Sequence, residues 1–220
     1  MAEKFANRVL ILGAGSVSQS VLPLLIEHLV DAKQITIMDQ RDNRARVQDA
    51  LNKGATYVQD VITRENLDTQ LSKYLKAGDF LLDLAWNIDA NTILQWCYDH
   101  GVMYLNTSIE EWDPYEGGSN KHPLERTLYY RHMRMREMKS KWTKTGATAI
   151  VEHGANPGLV SHLVKKSMVD IATRALKDGK AANGVESAMT DERYNDLAHL
   201  LNIKVIHISE RDTQVTNKPK

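Results

Sequence analysis

Apolar runs alternate with stretches of helical periodicity from the N-terminus to about Val151. Most of the short apolar runs are continuous rather than alternating in polarity, as expected for strands whose two faces are both buried. Strands that alternate with helices predict an α/β fold built on a doubly wound parallel sheet. The predicted strands are Arg8–Leu12, Gln34–Met38, Thr56–Val58, Phe80–Leu84, Met103–Asn106 and Ala147–Val151.

Leucines and valines at helical spacing predict helices between these strands. Val17–Val30 has this spacing after the first strand, and Ile88–His100 repeats it before Gly101, a residue suited to cap a helix C-terminus. Thr107–Asn120 is polar and contains proline and glycine, so we expect a long loop at the carboxyl end of the fifth strand. Lys121–Lys144 is the predicted crossover helix to the sixth strand.

The alternation of strands and helices ends before Pro157 and Gly158. Further elements are predicted after these two residues. They are a helix over Leu159–Ala175, a linker rich in Gly and Lys over Lys177–Val185, a helix over Asp191–Leu201 and a strand over Lys204–Ser209. We therefore expect a first domain over 1–158, a connecting helix and linker over 159–185, and the start of an incomplete second, α+β domain over 186–220.

A glycine-containing loop joins the first strand to the first helix in the pattern Gly13-x-Gly15-x-x-Ser18. Gly13 suits a tight turn, and Gly15 would let the backbone approach a pyrophosphate closely. The start of the helix, Ser16 and Val17, would then face the phosphate charge. The competing interpretation is a strand–helix turn that uses glycine for its geometry alone and binds nothing.

An acidic residue at the end of the second strand favours the first interpretation. Asp39 stands where a carboxylate would hydrogen-bond the adenosine ribose hydroxyls of a dinucleotide. Together with the glycine loop it predicts a Rossmann-type domain. A carboxylate there would repel a 2′-phosphate, which favours NAD, although Arg41 and Arg44 just beyond would suit NADP instead.

Two further segments follow strands at the same edge of the sheet, where ligands of such folds bind. The first is Asn106–Trp112, whose Glu110 and Glu111 precede a tryptophan, a combination that suits an ammonium group but also occurs in solvated acidic loops. The second is Glu152–Gly158, where Asn156 would hydrogen-bond the edge of a flat ring, or the segment is simply a structural turn.

Charge and composition limit the classes of partner that the sequence suggests. The chain has 28 Lys and Arg against 28 Asp and Glu, so no net charge draws it to nucleic acid or an anionic membrane. The basic stretch Lys121–Lys144 fits a solvated helix face better than a nucleic-acid patch. The histidines lack metal-ligand spacing, so no metal is expected. The lone Cys97 and the absence of a signal-like or membrane-spanning segment predict a cytoplasmic protein.

Four motifs together resemble bacterial homospermidine synthase, within the broader saccharopine-dehydrogenase-like group. They are the glycine loop, the Thr-x-x-Glu-x-Trp string over Thr107–Trp112, the Gly-Ala-Asn-Pro-Gly string over Gly154–Gly158, and the string His-Ile-Ser-Glu-Arg-Asp-Thr-Gln over His207–Gln214. The resemblance runs along essentially the whole chain.

The resemblance implies a transferase that uses NAD as a redox-neutral prosthetic group. Hydride removal from putrescine would give an imine that loses ammonia, a second putrescine or spermidine amine would form a Schiff base, and return of the hydride would give the polyamine product. The implied catalytic residues are Glu110, Asn156 and Glu210. The implied cofactor-binding residues are Gly13, Gly15, Ser16, Val17, Asp39, Thr107, Asn156 and Pro157.

Members of the family are longer and homodimeric, with a large second domain, so we do not expect catalysis by these 220 residues alone. Two alternatives stay open from the sequence. One is a saccharopine-type NAD(P)-dependent dehydrogenase that releases the reduced cofactor, and the other is a non-catalytic NAD-binding module.

Overall fold

The computed structural model describes residues 3–116 and 121–211 and contains a parallel sheet at its centre. All six predicted strands form, with ends that differ from the prediction by at most two residues. They are β1 (Val9–Leu12), β2 (Ile35–Asp39), β3 (Thr56–Gln59), β4 (Phe80–Asp83), β5 (Met103–Asn106) and β6 (Ala149–Ile150).

The strands lie in the order β3-β2-β1-β4-β5-β6, and every neighbouring pair is parallel. This is the order of the Rossmann fold, so the predicted fold class is confirmed. The chain reverses its direction of travel across the sheet between β1 and β4. Ligands of such sheets bind outside the carboxyl ends of the strands at that point.

Helices flank the sheet and confirm the two helices predicted from leucine and valine spacing. The helix α4 ends at Gly101, whose φ of 68° lies in the left-handed region, as expected for a C-terminal glycine. The α-helices are α1 (Ser16–His28), α2 (Gln48–Asn52), α3 (Leu67–Tyr74), α4 (Ala90–His100), α5 (Leu128–Ser140), α6 (Leu159–Lys177), α7 (Val185–Thr190) and α8 (Tyr194–Leu200). Short 3-10 helices cover Ala32–Gln34, Arg44–Val47 and Pro123–Arg126.

The central strands are buried on both faces, which is why their sequences are continuously apolar. Val9 and Ile11 pack into a core on one face of β1, and Leu10 and Leu12 pack into a second core on the other. The edge strand β6 differs, because both of its residues are exposed. A strand at the edge that pairs with one neighbour over two residues has little of its surface covered.

The chain divides into two compact units, Met1–Gly154 and Ala155–Lys220. In the second unit, α6, α7 and α8 pack around their own core, which consists of Met168, Ala172, Val185, Ala188 and Leu197. The strand predicted over 204–209 is wrong, since residues 203–211 are neither helix nor strand. A strand needs a partner for its backbone hydrogen bonds, and the described part of this unit offers none.

Two further sequence predictions have structural outcomes. The helix predicted over 191–201 begins later, at Tyr194. Residues 212–214 of the string over His207–Gln214 lie outside the described residues. No helix in residues 3–116 and 121–211 is long and apolar enough to cross a membrane.

Candidate functional site

The glycine loop turns sharply between β1 and α1, and the turn requires glycine at its first position. Gly13 has a φ of +90°, and its N–H donates to the Met38 carbonyl at 2.7 Å. A Cβ on Gly13 would lie 2.7 Å from the carbonyl oxygen of Leu84, which is closer than any side chain tolerates. Ser18 is fully buried and donates its hydroxyl to the Gly13 carbonyl, so this small residue closes the turn from the helix side.

Gly15 is different, because nothing in the protein requires a glycine there. Its backbone is extended, with φ −84° and ψ −162°, and a Cβ would meet no atom within 4 Å. It is the N-cap of α1, and no side chain caps the helix. The N–H groups at the first turn of α1, including those of Ser16 and Val17, have no intrahelical acceptor, and the positive end of the helix dipole lies beside the open space at Gly15.

A cavity of about 500 Å³ lies at the carboxyl ends of β1, β2 and β4, where the strand order reverses. Its size is in the range of small-molecule and cofactor sites. Its wall combines glycine backbone, apolar side chains and a few polar groups. The lining residues are Leu12, Gly13, Gly15, Met38, Asp39, Gln40, Arg41, Asn43, Asp60, Val61, Ile62, Leu84, Ala85, Trp86, Asn87 and Ile88.

Asp39 is held in a fixed position on the wall of this cavity. Its Oδ2 accepts a hydrogen bond from the Ala14 N–H at 2.7 Å, and its Oδ1 accepts one from the Arg41 N–H at 2.8 Å. Each carboxylate oxygen keeps a second lone pair for a ligand hydroxyl. The open space at Gly15, the uncapped helix and this carboxylate fit the pyrophosphate and ribose of a dinucleotide.

The two adjacent glutamates after β5 have different surroundings. Glu111 is paired with Arg131 and Arg134 of α5, each at 3.3 Å, so its charge is neutralised within the protein. Glu110 accepts a hydrogen bond from the Ser108 hydroxyl at 2.7 Å and makes no ion pair with a described residue. Of the two carboxylates, Glu110 is thus the one available to a ligand cation.

A buried chain of polar side chains, which the sequence analysis missed, crosses the ends of β4 and β5. Asp83 is the last residue of β4, and its two oxygens accept from the Ala85 N–H at 3.2 Å and the Tyr104 hydroxyl at 3.0 Å. The Tyr104 hydroxyl in turn accepts from the Asn106 amide at 2.9 Å. All three side chains are at most 6% exposed, so each hydrogen bond replaces water that these groups have lost.

This series of hydrogen bonds continues from Asn106 to the segment after β6. Asn106 Oδ1 accepts from the Glu152 N–H at 2.7 Å, and Glu152, which has a positive φ of 55°, contacts His132 of α5 at 2.5 Å through its carboxylate. We call Asp83, Tyr104, Asn106, Glu152 and His132 the edge network. It ties together the segments that follow β4, β5 and β6.

Burial raises the pKa values of Asp83 and Tyr104, two members of the edge network. The pKa of Asp83 is raised to about 7, mainly by loss of water and also by the charge of Glu110, although the hydrogen bonds from Ala85 and Tyr104 act to lower it. The pKa of the Tyr104 hydroxyl is raised well above its usual range by burial and by the charge of Asp83. Tyr104 therefore stays protonated and remains a donor to Asp83.

The other predicted site residues lie in different parts of the chain. Thr107 directly follows β5 and is half-buried in the first unit. Asn156 and Pro157, joined by a cis peptide bond, and Glu210 are exposed residues of the second unit. Their binding and catalytic roles stay predictions. In residues 3–116 and 121–211, no three His, Cys, Asp or Glu side chains are grouped as metal ligands.

A parallel sheet of this order, with a glycine loop at β1 and a fixed carboxylate at the end of β2, defines a dinucleotide-binding domain. Comparison with known proteins is more specific. The chain belongs to the family described as the saccharopine dehydrogenase NADP binding domain, whose model matches residues 9–150.

Curated relatives show the resemblance that the four motifs predict. The chain is 33% identical over 218 residues to the homospermidine synthase of Mesorhizobium japonicum, and 30% identical over 217 residues to that of Blastochloris viridis. Each match covers 96% of this chain and 43% of the relative. The chain therefore spans less than half the length of these relatives.

Solved structures agree with the observed fold. The homospermidine synthase of Legionella pneumophila, in complex with NAD, superposes with a TM-score of 0.75 at 33% identity, over 99% of this chain and 43% of that one. The saccharopine dehydrogenase of Saccharomyces cerevisiae has a TM-score of 0.51 at 20% identity, over 77% of this chain and 32% of its own, and shows the fold alone.

Proposed function

We propose that the first unit binds NAD in the cavity at the carboxyl edge and is the cofactor-holding part of a homospermidine synthase. The observation that carries the proposal is the open space at Gly15, which lies beside the uncapped start of α1. No protein atom and no backbone strain explains a glycine there, whereas a pyrophosphate would. The likeness to the NAD-bound enzyme of Legionella pneumophila supports the same cofactor.

The residues that would hold NAD divide by chemistry. The N–H groups of Ser16 and Val17 would bind the pyrophosphate, and Asp39 would accept hydrogen bonds from the ribose hydroxyls. Thr107, Asn156 and Pro157 complete the proposed cofactor set. When bound, NAD supplies a hydride acceptor that later returns the hydride, so the overall reaction would be redox-neutral.

The polyamine would bind where Glu110 offers an uncompensated carboxylate. A protonated putrescine amine carries a positive charge that Glu111 cannot neutralise, because two arginines already pair with that residue. Glu110 would hold the ammonium group or remove its proton near the nicotinamide. Asn156 would position the ring or the reacting nitrogen, and Glu210 would bind the distal ammonium group of the polyamine.

Further properties are proposed from the resemblance to the relatives. The substrates would be small polyamines, namely putrescine and spermidine, and the protein would act in the cytoplasm as a homodimer. Neither nucleic acid nor a membrane is a proposed partner.

Two measurements test the proposed function. Calorimetric titration of the chain with NAD should show one site, and Asp39→Leu should weaken it by at least about tenfold because a bidentate acceptor for the ribose is lost. Asp49→Ala, which removes an acidic residue outside the cavity lining, should leave the affinity unchanged. Absence of NAD binding by the unmodified chain would refute the proposal.

The reaction itself is tested on the protein at its native length. Incubation with putrescine and NAD should give homospermidine and ammonia, detected by mass spectrometry, without a steady rise in absorbance at 340 nm. A steady rise with an amino-acid substrate would instead favour a saccharopine-type dehydrogenase. Tight NAD binding without turnover of either substrate would favour a non-catalytic module.

A further inference from the structure

The loop after β2 contains both an acid suited to NAD and two arginines suited to the 2′-phosphate of NADP. Arg41 lines the cavity together with Asp39, so the one guanidinium at the cavity wall is offset by a carboxylate. Arg44 is three residues further along and is absent from the lining. With the Arg41 charge offset by Asp39, a second guanidinium at the wall would strengthen the binding of a 2′-phosphate. The position of Arg44 therefore bears on cofactor choice.

Several contacts hold Arg44 outside the cavity. Its guanidinium donates to Asp42 Oδ2 at 2.8 Å, and its backbone N–H donates to Asp42 Oδ1 at 3.2 Å. The guanidinium also lies over the ring of Tyr57, 5.0 Å from the ring centroid. An exposed ion pair restrains a side chain weakly by itself, but the Tyr57 ring restricts a further face of the guanidinium, and the backbone N–H of Arg44 helps to hold the Asp42 carboxylate in place.

Tyr57 ties this arrangement to the sheet. It is a residue of β3, its hydroxyl donates to the Arg41 carbonyl at 2.5 Å, and the hydroxyl accepts from the Asn43 N–H at 3.0 Å. Burial raises the pKa of Tyr57, so the hydroxyl remains a donor at neutral pH. The backbone on both sides of Asp42 is therefore held by the residue on which Arg44 stacks.

We infer that Asp42 is a specificity-determining residue that favours NAD over NADP by holding Arg44 on Tyr57 and away from the ribose end of the cavity. Asp39 repels a 2′-phosphate at the cavity wall, and Asp42 withholds the cation that would offset that repulsion. Loss of Asp42 releases Arg44 and removes a negative charge from the same loop. This inference rests on the proposed binding of NAD at this cavity.

The test is a calorimetric titration of the full chain with NAD and, separately, with NADP. The unmodified chain should bind NAD more tightly than NADP. Asp42→Ala should tighten NADP binding by about tenfold, the effect of one added charge contact, and change the NAD affinity by less than about twofold. The double variant Asp42→Ala/Arg44→Ala should return the NADP affinity to about its original value.

A matched control tests whether the loss of an exposed, arginine-paired acid elsewhere in the chain changes the two affinities. Asp196→Ala removes a carboxylate from another exposed aspartate–arginine pair, with Arg193 in the second unit, and should leave both affinities unchanged. Circular dichroism would check that each variant keeps its helix content.

The possible failures differ from one another. If the unmodified chain binds NAD but Asp42→Ala leaves the ratio of the two affinities unchanged, the inference is wrong and the proposed function stands. If the tighter NADP binding persists in the double variant, Arg44 is not the released cation and the inference is again wrong. If the unmodified chain binds neither dinucleotide, both the inference and the proposed function fall.

Discussion

The two sides of the carboxyl edge are built in opposite ways. At β1 and β2 the protein leaves open space, bounded by Gly13, Gly15 and Asp39, and the polar groups on its wall include the carboxylates of Asp39 and Asp60. At β4 to β6 the space is filled by the edge network, in which Asp83 and Tyr104 bond to other protein groups. The first side is shaped for a ligand, whereas the second fixes the segments that carry Thr107 and Glu110.

The largest effects are expected at the two glycines of the loop, where substitution of Gly13 and of Gly15 should change different properties. Gly13→Ala should lower the free energy of unfolding by about 3 kcal/mol, because it combines a positive φ with a contact between the new Cβ and the Leu84 carbonyl. Gly15→Ala should change it by less than about 0.5 kcal/mol. It should nevertheless weaken NAD binding by about tenfold or more, since the new methyl group enters the pyrophosphate space.

Urea denaturation and calorimetry measure both quantities for the two variants. Equal losses of stability would contradict the distinction between a glycine that the fold requires and one that the ligand requires.

Removal of one hydroxyl from the edge network should lower the free energy of unfolding without affecting NAD binding at the cavity. Tyr104→Phe leaves Asp83 Oδ2 and the Asn106 amide without their partner, which should cost about 1–3 kcal/mol of unfolding free energy. NAD affinity should stay within about twofold of the original value, because Tyr104 is outside the cavity lining. Tyr74→Phe is the matched control, since Tyr74 also packs against the core but its hydroxyl makes no hydrogen bond within the described residues.

A stability change confined to Tyr104→Phe in urea denaturation would agree with this account. Equal effects of the two substitutions would show that the edge network contributes little.

The titration of Asp83 should make the free energy of unfolding depend on pH. Its pKa is raised from 3.8 to about 7 in the folded state, so between these values the folded chain binds a proton that the unfolded chain releases. The contribution of Asp83 to stability should therefore decrease as the pH rises from about 4 to about 7, and level off above that range. In Asp83→Asn this dependence should be absent.

Denaturation of both proteins across this range measures the difference between their unfolding free energies. A difference that stays constant with pH, or that changes in favour of the unmodified chain as the pH rises, would contradict the raised pKa.

The smallest effects should distinguish the adjacent glutamates. Glu111→Gln removes the partner of Arg131 and Arg134 and should lower the free energy of unfolding by about 1 kcal/mol. Glu110→Gln should change it by less than about 0.5 kcal/mol but weaken putrescine binding to the NAD-loaded protein of native length. Thermal denaturation and calorimetry check the two effects, and the reverse assignment would show that Glu111 is the ligand-binding acid.

Local sequence patterns predicted the open side well. Gly13 and Gly15 lie within one strand–helix connection, where their spacing is visible in the sequence, and Asp39 follows at the end of the next strand. Short apolar runs, most of them continuous, likewise predicted every strand of the sheet. Each of these features leaves a local pattern in the sequence, as a glycine spacing, a strand-terminal acid or an apolar run.

The filled side depends on contacts between distant residues, which a single sequence does not pair. Asp83 and Glu152 are connected through Tyr104 and Asn106, and each of these polar residues stands next to an apolar run that gives no sign of its partner. A polar residue that ends a buried strand was the one available signal. The strand predicted over 204–209 is wrong for a related reason. A sequence pattern typical of a strand does not show whether a neighbouring strand is present to pair with it.

The most direct test of the account is backbone hydrogen exchange of the chain with and without NAD, read by mass spectrometry. The proposed site predicts slower exchange on NAD addition over 12–18, 38–43, 60–62 and 84–88, the segments that form the glycine loop and line the cavity. It predicts no change over 45–53, which lines a separate, smaller cavity beside α1. Protection over 45–53, or no NAD-dependent protection at the glycine loop, would contradict the central claim that the open side of the sheet holds NAD.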